Sequence, residues 1–330
     1  MKRTFAAVMA VSATVFLSAC GGGDGDAAAA GSADKLAVVA TTPEVADFVR
    51  TIGGDAVAVT QIIKPNVDPH DYEPTPADMQ ALATAKVVVK NGVGLEEWLD
   101  RTIESAGFNG TVVDSSQGVT LREGGHSHEE GEEHAAEEGE HAEEEGEHAE
   151  EHDPHIWHDP RNAKTMVTNI EKALATAAPA QAATFTKNLT DYSAQLDKLD
   201  ADNEAAWAKI PAAQRKLVTN HDALGYYVDR YDIEYVGSVI PSLSTSAELS
   251  AQQLTDLVAK IKATGTKAIF TEASLPAKTA DAIAQQAGVQ VVGGENALYS
   301  DSLGETGTPQ GTYLGAEQHN TQVITAALAG

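Results

Sequence analysis

Eleven histidines are spread unevenly through the 330 residues. Six of them (His126, His128, His134, His141, His148, His152) fall within 27 residues; the others are His70, His155, His158, His221 and His319. His70, in Asn66-Val67-Asp68-Pro69-His70, lies just past the C-terminal end of a predicted strand. His221, in Thr219-Asn220-His221-Asp222, follows another, and Asp301, in Tyr299-Ser300-Asp301, follows the last. His155, in Asp153-Pro154-His155, lies where the histidine-rich stretch rejoins the chain. Open parallel sheets bind ligands beyond the carboxyl ends of their strands. Two of these residues come from each half of the chain, so they can converge only in a cleft between the halves. Three imidazoles and a carboxylate make a closed tetrahedral Zn²⁺ site, with bonds of about 2.0–2.2 Å. Each also has an ordinary alternative: a surface or capping histidine, and for Asp301 a helix or turn cap.

The elements that must position them alternate. Leu36–Ala40, Val57–Ile63, Lys86–Lys90 and Thr111–Asp114 read as strands. Helices are expected from Pro43 to about Ile52, over Pro76–Ala85 and over Leu95–Ala106. After a helix at 161–177, residues 180–209 hold no Gly or Pro. Phe185, Leu189, Tyr192, Leu196 and Leu199 form one helical stripe within them. One helix there would run about 45 Å at ~1.5 Å per residue, more than a single α/β domain needs. The alternation resumes with strands at Leu217–Thr219, Ile233–Val239, Lys267–Thr271 and Val289–Val292. Helices are expected at Ala223–Arg230, Glu248–Ala263, Pro276–Ala287 and Gly311–Leu328. The expected fold is α/β, with two similar lobes on one long connector. Its divisions are a signal peptide at 1–19, a tether at 20–34, a first lobe at 35–178, a linking helix at 179–209 and a second lobe at 210–330.

Composition narrows the function. The 49 acidic and 22 basic side chains leave a net charge of −27, which argues against nucleic acid as a partner. The 31 residues from Glu123 to Asp153 hold 15 acidic residues and no Lys or Arg, more than half of that excess. One cysteine excludes an internal disulfide, a Cys-rich zinc site and an iron–sulfur cluster. Lys2 and Arg3 precede an apolar run from Phe5 to Leu17, the layout of a secretory signal peptide. Leu17-Ser18-Ala19-Cys20 then resembles a bacterial lipobox, which implies lipidation of Cys20 and a membrane anchor on a flexible polar tether.

Within the acidic stretch His134, His141 and His148 recur every seven residues among glutamates and alanines. Such a segment cannot build a core or a coiled-coil seam, so a disordered loop is predicted. Imidazole with carboxylate suits borderline ions such as Zn²⁺. The six loop histidines are expected to collect metal weakly at several points, because each binding event must order the chain.

Four segments carry a family resemblance: DPHDYEPTPADM (68–79), DPHIWHDPRNAKTM (153–166), NHDALGYYVDRYDI (220–233) and ENALYSDSLG (295–304). Together they resemble the zinc/manganese solute-binding lipoproteins of bacterial ABC transporters, the cluster A-I (cluster 9) family, and within it the ZnuA-type zinc members. The resemblance spans about residues 36–329. It implies two (β/α)₄ lobes joined by one rigid helix, with the metal site in the inter-lobe cleft. It also implies the ligand set His70, His155, His221 and Asp301, and a His- and acid-rich loop like that of zinc members. Manganese members commonly carry a carboxylate where this chain has His221, and imidazole there favours Zn²⁺ over Mn²⁺. His158 departs from the usual apolar residue and is either an auxiliary ligand or a loop residue. Glu272, at the end of a strand, either lines the site or replaces Asp301. Glu73 is expected to support the ligands, and His319 to lie on the surface.

The expected function is non-enzymatic. A monomer, lipid-anchored at the extracytoplasmic face of a bacterial membrane, captures Zn²⁺ and hands it to an ABC permease and its ATPase. A manganese-specific carrier and a surface zinc buffer or adhesin are the alternatives. An extracellular zinc hydrolase would need an open coordination position and a base such as Glu272 or Glu73, and no HExxH motif is present. Release is expected to rely on loops around His155, His221 and Asp301. Deleting 126–152 should remove several weak zinc equivalents in calorimetry and leave one tight site; loss of the tight site would refute this division.

Overall fold

The computed structural model describes residues 35–124, 152–247 and 250–329. The signal segment, Cys20 and the tether lie outside them, as do His126, His128, His134, His141 and His148.

The first lobe is built on a parallel sheet of β1 (Leu36–Ala40), β2 (Val57–Gln61), β3 (Val87–Lys90) and β4 (Thr111–Asp114), in the order β2-β1-β3-β4. Val38 is in register with Val59 on one side and Val87 on the other. All three are β-branched; Val38 and Val87, in the middle of the sheet, are buried, and Val59, on the edge strand β2, is half-buried. The crossover helices are α1 (Pro43–Gly53), α2 (Pro76–Thr84) and α3 (Leu99–Ala106), and α4 (Pro160–Ala177) follows the acidic stretch. Three of these helices open alike, with Thr42, Thr75 and Asp159 as side-chain caps and a proline in the first turn.

The second lobe contains β5 (Lys216–His221), α6 (Gly225–Tyr231), β6 (Glu234–Ile240), α7 (Ala251–Thr264), β7 (Ala268–Phe270), α8 (Lys278–Ala287), β8 (Gln290–Val292) and α9 (Tyr313–Ala329). β5 pairs in parallel with β6, and β7 with β8. β5 also lies beside β7, so the strands run 6-5-7-8, the winding of the first lobe. The carboxyl ends of both sets of strands face the cleft that holds the donor cluster.

Helix α5 (Ala182–Trp207) joins the lobes. Its 26 residues span about 39 Å. Phe185, Tyr192, Leu196 and Leu199 enter the core of the first lobe, beside Phe48 and Ile170. Trp207 enters the second core, where its indole donates to the Tyr227 hydroxyl at 2.8 Å. One rigid element thus belongs to two cores. Among the described residues no helix is long and apolar enough to cross a membrane.

Several boundaries shift by one to four residues from the sequence reading, and two of the shifts have a clear physical reason. α3 starts at Leu99, because Gly92, Val93 and Gly94 all take positive φ and turn the chain first. Glu96 holds that turn, accepting from the Thr41 hydroxyl (2.6 Å), the Asn91 N–H (2.7 Å) and the Gly92 N–H (3.1 Å). β5 extends to His221, which pairs with Ile240, so His221 ends the strand instead of following it. Leu196→Ala should cost about 2–5 kcal/mol of stability in urea denaturation, through the cavity it leaves beneath α5.

Candidate metal centre

Two Asp-Pro-His tripeptides place donors from the first lobe. In each, the aspartate accepts the backbone N–H of the histidine two residues on: Asp68 from His70 and Asp153 from His155, both at 3.0 Å. This is an Asx-type turn, with the intervening proline stiffening it. The two carboxylates then diverge in use. Asp153 Oδ1 also meets His155 Nδ1 at 2.8 Å, whereas Asp68 Oδ2 accepts from the Thr245 hydroxyl of the other lobe at 2.6 Å. Pro154, before His155, is fixed by Asn91 Nδ2, which donates to its carbonyl at 2.9 Å.

The second lobe supplies His221 from the end of β5 and Asp301 from the loop after β8. Glu272 grips His221 twice: Oε1 accepts its backbone N–H at 2.8 Å, and Oε2 meets Nδ1 at 2.6 Å. A carboxylate on Nδ1 fixes the tautomer with the proton there and leaves the Nε2 lone pair free for a cation. His155 and His221 are both set this way.

The four side chains converge. His70 Nε2 lies 3.2 Å from His155 Nε2 and 3.5 Å from Asp301 Oδ2. Asp301 Oδ1 is 3.3 Å from His155 Nε2, and Oδ2 is 3.0 Å from His221 Nε2. One donor atom from each residue fits within a 4.8 Å span. A tetrahedron with bonds of about 2.0–2.1 Å has edges of about 3.3–3.4 Å, so these separations suit four ligands of one small cation. His221 Nε2 and both Asp301 oxygens are buried without a well-aligned hydrogen-bond partner. Buried polar atoms are rarely left so, and a cation satisfies all three.

His155, His221 and Asp301 are sealed from solvent, whereas the His70 side chain is 7% exposed. His70 lines a cavity of about 180 Å³ together with Asp71, Glu97, His152, Pro154 and Leu243. His152 reaches this cavity from a short antiparallel bridge with Glu123.

Charge follows from burial. Burial alone would lower the His155 imidazole, but the Asp301 and Asp153 carboxylates raise it to about 9. His221 is likewise pulled down by burial and raised well above its usual range by Asp301 and Glu272. Burial alone would raise the Asp301 carboxyl, but the His221 and His155 rings hold it well below the usual carboxylate range. Without a cation, protons supply the positive charge at this site.

Other residues singled out in the sequence fall elsewhere. Glu272 supports His221 and is not one of the four clustered donors, so Asp301 occupies the fourth place. His158 is fully buried, but its Nδ1 faces Glu317 of α9 at 2.7 Å, outside the cluster. Glu73 is exposed and takes no part in the hydrogen bonds described for Asp153, Glu272 or the four donors. His319 is half-buried, its Nε2 at 3.0 Å from the Ala297 carbonyl, and is not a free surface residue. Sequence reasoning missed Asp153 as a support. The repeated Asp-Pro-His tripeptide was the available signal.

Donors gathered between two parallel α/β lobes on a single helix define a metal-binding solute-binding protein of ABC transport. The chain belongs to the family described as zinc-uptake complex component A, periplasmic, which it matches over residues 38–327. This family is an extracytoplasmic transport component and not an enzyme. The chain is 34% identical over 311 residues to the zinc-binding protein TroA of Treponema pallidum, covering 93% of this chain and 92% of TroA. A solved structure of the periplasmic zinc-binding protein TroA superimposes with a TM-score of 0.75 at 32% identity, covering 89% of this chain and 99% of that one. The manganese-binding lipoprotein MntA of Bacillus subtilis is 33% identical over 320 residues, 96% of each chain. The iron-binding protein YfeA of Yersinia pestis is 30% identical over 286 residues, 86% of this chain and 83% of YfeA.

A histidine raised on folding adds stability that is complete below its unfolded value of 6.5 and is lost as pH rises through the folded value, here about 9. The metal-free protein should therefore melt at progressively lower temperature from pH 6.5 to 9. A saturating divalent cation, by replacing the protons, should remove that decline. A flat metal-free profile in calorimetric scans would refute the charge assignment.

Proposed function

We propose that this protein captures Zn²⁺ outside the cytoplasmic membrane with His70, His155, His221 and Asp301 and delivers it to an ABC permease and its ATPase. The observation that carries this reading is the convergence of three imidazole nitrogens and one carboxylate, with a donor atom from each within 4.8 Å of the others. Named relatives bind zinc, manganese or iron, so the choice of metal rests on donor chemistry. Imidazole-rich four-coordinate sites suit Zn²⁺, while Mn²⁺ prefers six, mostly oxygen, ligands. The third imidazole, His221, tips the set toward zinc.

Four protein donors close the coordination sphere, which suits a carrier: no metal-bound water is left to attack a substrate. Loading exchanges protons on His155 and His221 for the cation, so affinity falls as pH falls. Release follows the weakest-held donor. His155 and His221 each have a carboxylate behind the ring, and Asp301 is buried between them. His70 alone of the four lines the cavity, and among the described residues no carboxylate is bonded to its Nδ1. This favours movement of the His70 loop over the loops around the other three. Lipidated Cys20 would hold the carrier at the membrane, and the histidine-rich stretch would gather zinc weakly near His152.

Calorimetric titration of the mature protein should give one tight Zn²⁺ per chain and weaker Mn²⁺ binding. His70→Ala should weaken Zn²⁺ by more than the about 10–100-fold that loss of a mere supporting residue costs. Equal Zn²⁺ affinity in wild type and His70→Ala would sink the ligand assignment, and tighter Mn²⁺ would sink the choice of metal.

A further inference from the structure

We propose that Ser300 is a positioning residue that locks His155, His221 and Asp301 into one arrangement and thereby sets the geometry offered to the metal. The proposal rests on the ligand set above and assigns a part to a residue that is not itself a donor.

Three connections meet at Ser300. Its carbonyl accepts from the Trp157 indole N–H at 3.1 Å. Trp157 lies in the 3₁₀ turn Ile156–His158, which His155 immediately precedes, so this bond ties the His155 turn to the second lobe. The Ser300 hydroxyl donates to Glu272 Oε2 at 2.5 Å, the same oxygen that meets His221 Nδ1 at 2.6 Å. The third connection is covalent, since the next residue is Asp301. All three sealed donors thus reach one another through a single residue, while His70 does not.

The surroundings make these bonds count. Ser300, Trp157 and Glu272 are each buried. In a dry setting a hydrogen bond meets no competition from water and is stronger. The turn has two further anchors: the Tyr313 hydroxyl donates to the Trp157 carbonyl at 2.6 Å, and His158 faces Glu317 at 2.7 Å. The His155 turn is therefore already fixed against α9, and Ser300 relates that fixed turn to the Glu272–His221 pair. Without the hydroxyl, Glu272 Oε2 loses one of two partners and the carboxylate is left bonded to His221 alone, so carboxylate and ring can shift together. A loosened triad would admit the wider, higher-coordinate geometry that Mn²⁺ prefers.

Co²⁺ reports this directly, because four-coordinate Co²⁺ absorbs visible light far more strongly than six-coordinate Co²⁺. Ser300→Ala should still bind one Zn²⁺ per chain, with affinity reduced about 10–100-fold, a smaller preference for Zn²⁺ over Mn²⁺ and a weaker Co²⁺ band. Trp157→Phe, acting from the other end, should also weaken the band, and the double variant should lose no more than the worse single. Wild-type affinity and spectrum in Ser300→Ala, whatever its melting temperature, would overturn this proposal alone. Additive losses in the double variant would overturn it too. A wild-type protein without the four-coordinate Co²⁺ band would overturn the ligand set, and this proposal with it.

Discussion

A carboxylate buried among three imidazoles is the constraint on which the structure turns. Asp301 is 1% exposed, and removing an ionised carboxylate from water costs several kcal/mol unless positive charge meets it. The protein offers no lysine or arginine to Asp301 among the described ion pairs; it offers only titratable rings. Charge at the centre can therefore be exchanged. Protons on His155 and His221 balance Asp301 in one state, and a dication can balance it in the other. A lysine in place of His221 would satisfy Asp301 permanently and leave nothing for a metal to do.

The supports obey the same electrostatics. Asp153 and Glu272 add two carboxylates close to the centre, so the site as a whole favours a doubly charged ion over a singly charged one. Further negative charge is restrained. Arg122 lies 3.4 Å from Asp153, on the side away from His155. Glu44, buried at the start of α1 with the Asp301 and Glu317 carboxylates nearby, is pushed by burial up to about 8 and stays neutral at pH 7.

How much of this could be read from the chain depends on range. The alternation of strands and helices, the stripe on α5 and the strand-end positions of His70 and His221 are local patterns, and they were legible. The choice between Asp301 and Glu272 was not. Both follow strand ends in one lobe, and only their packing shows that Glu272 turns to the back of His221 while Asp301 faces the centre. His158 was ambiguous because its partner, Glu317, lies 159 residues away on the last helix. His319 was misjudged for a related reason: the carbonyl it meets belongs to a loop that its own helix packs against. The start of α3 was set by a run of positive φ and a buried glutamate, neither of which periodicity records.

The shared helix decides how these parts can move. α5 gives four apolar side chains to one core and Trp207 to the other, so bending the lobes apart would disturb both cores at once. The cleft is also stitched directly: the Tyr226 hydroxyl donates to the Asp153 carbonyl, and the Arg122 N–H donates to that hydroxyl. Large lobe closure is therefore expensive in this fold. Small movements near the mouth are not, because the His70 loop is held to the second lobe mainly by the Asp68–Thr245 and Asn66–Ser302 hydrogen bonds. Two hydrogen bonds contribute about 1–3 kcal/mol together, whereas opening a core exposes several side chains at about 1.5–3 kcal/mol each. That difference in cost favours movement of the His70 loop over closure of the lobes as the proposed route of metal exchange.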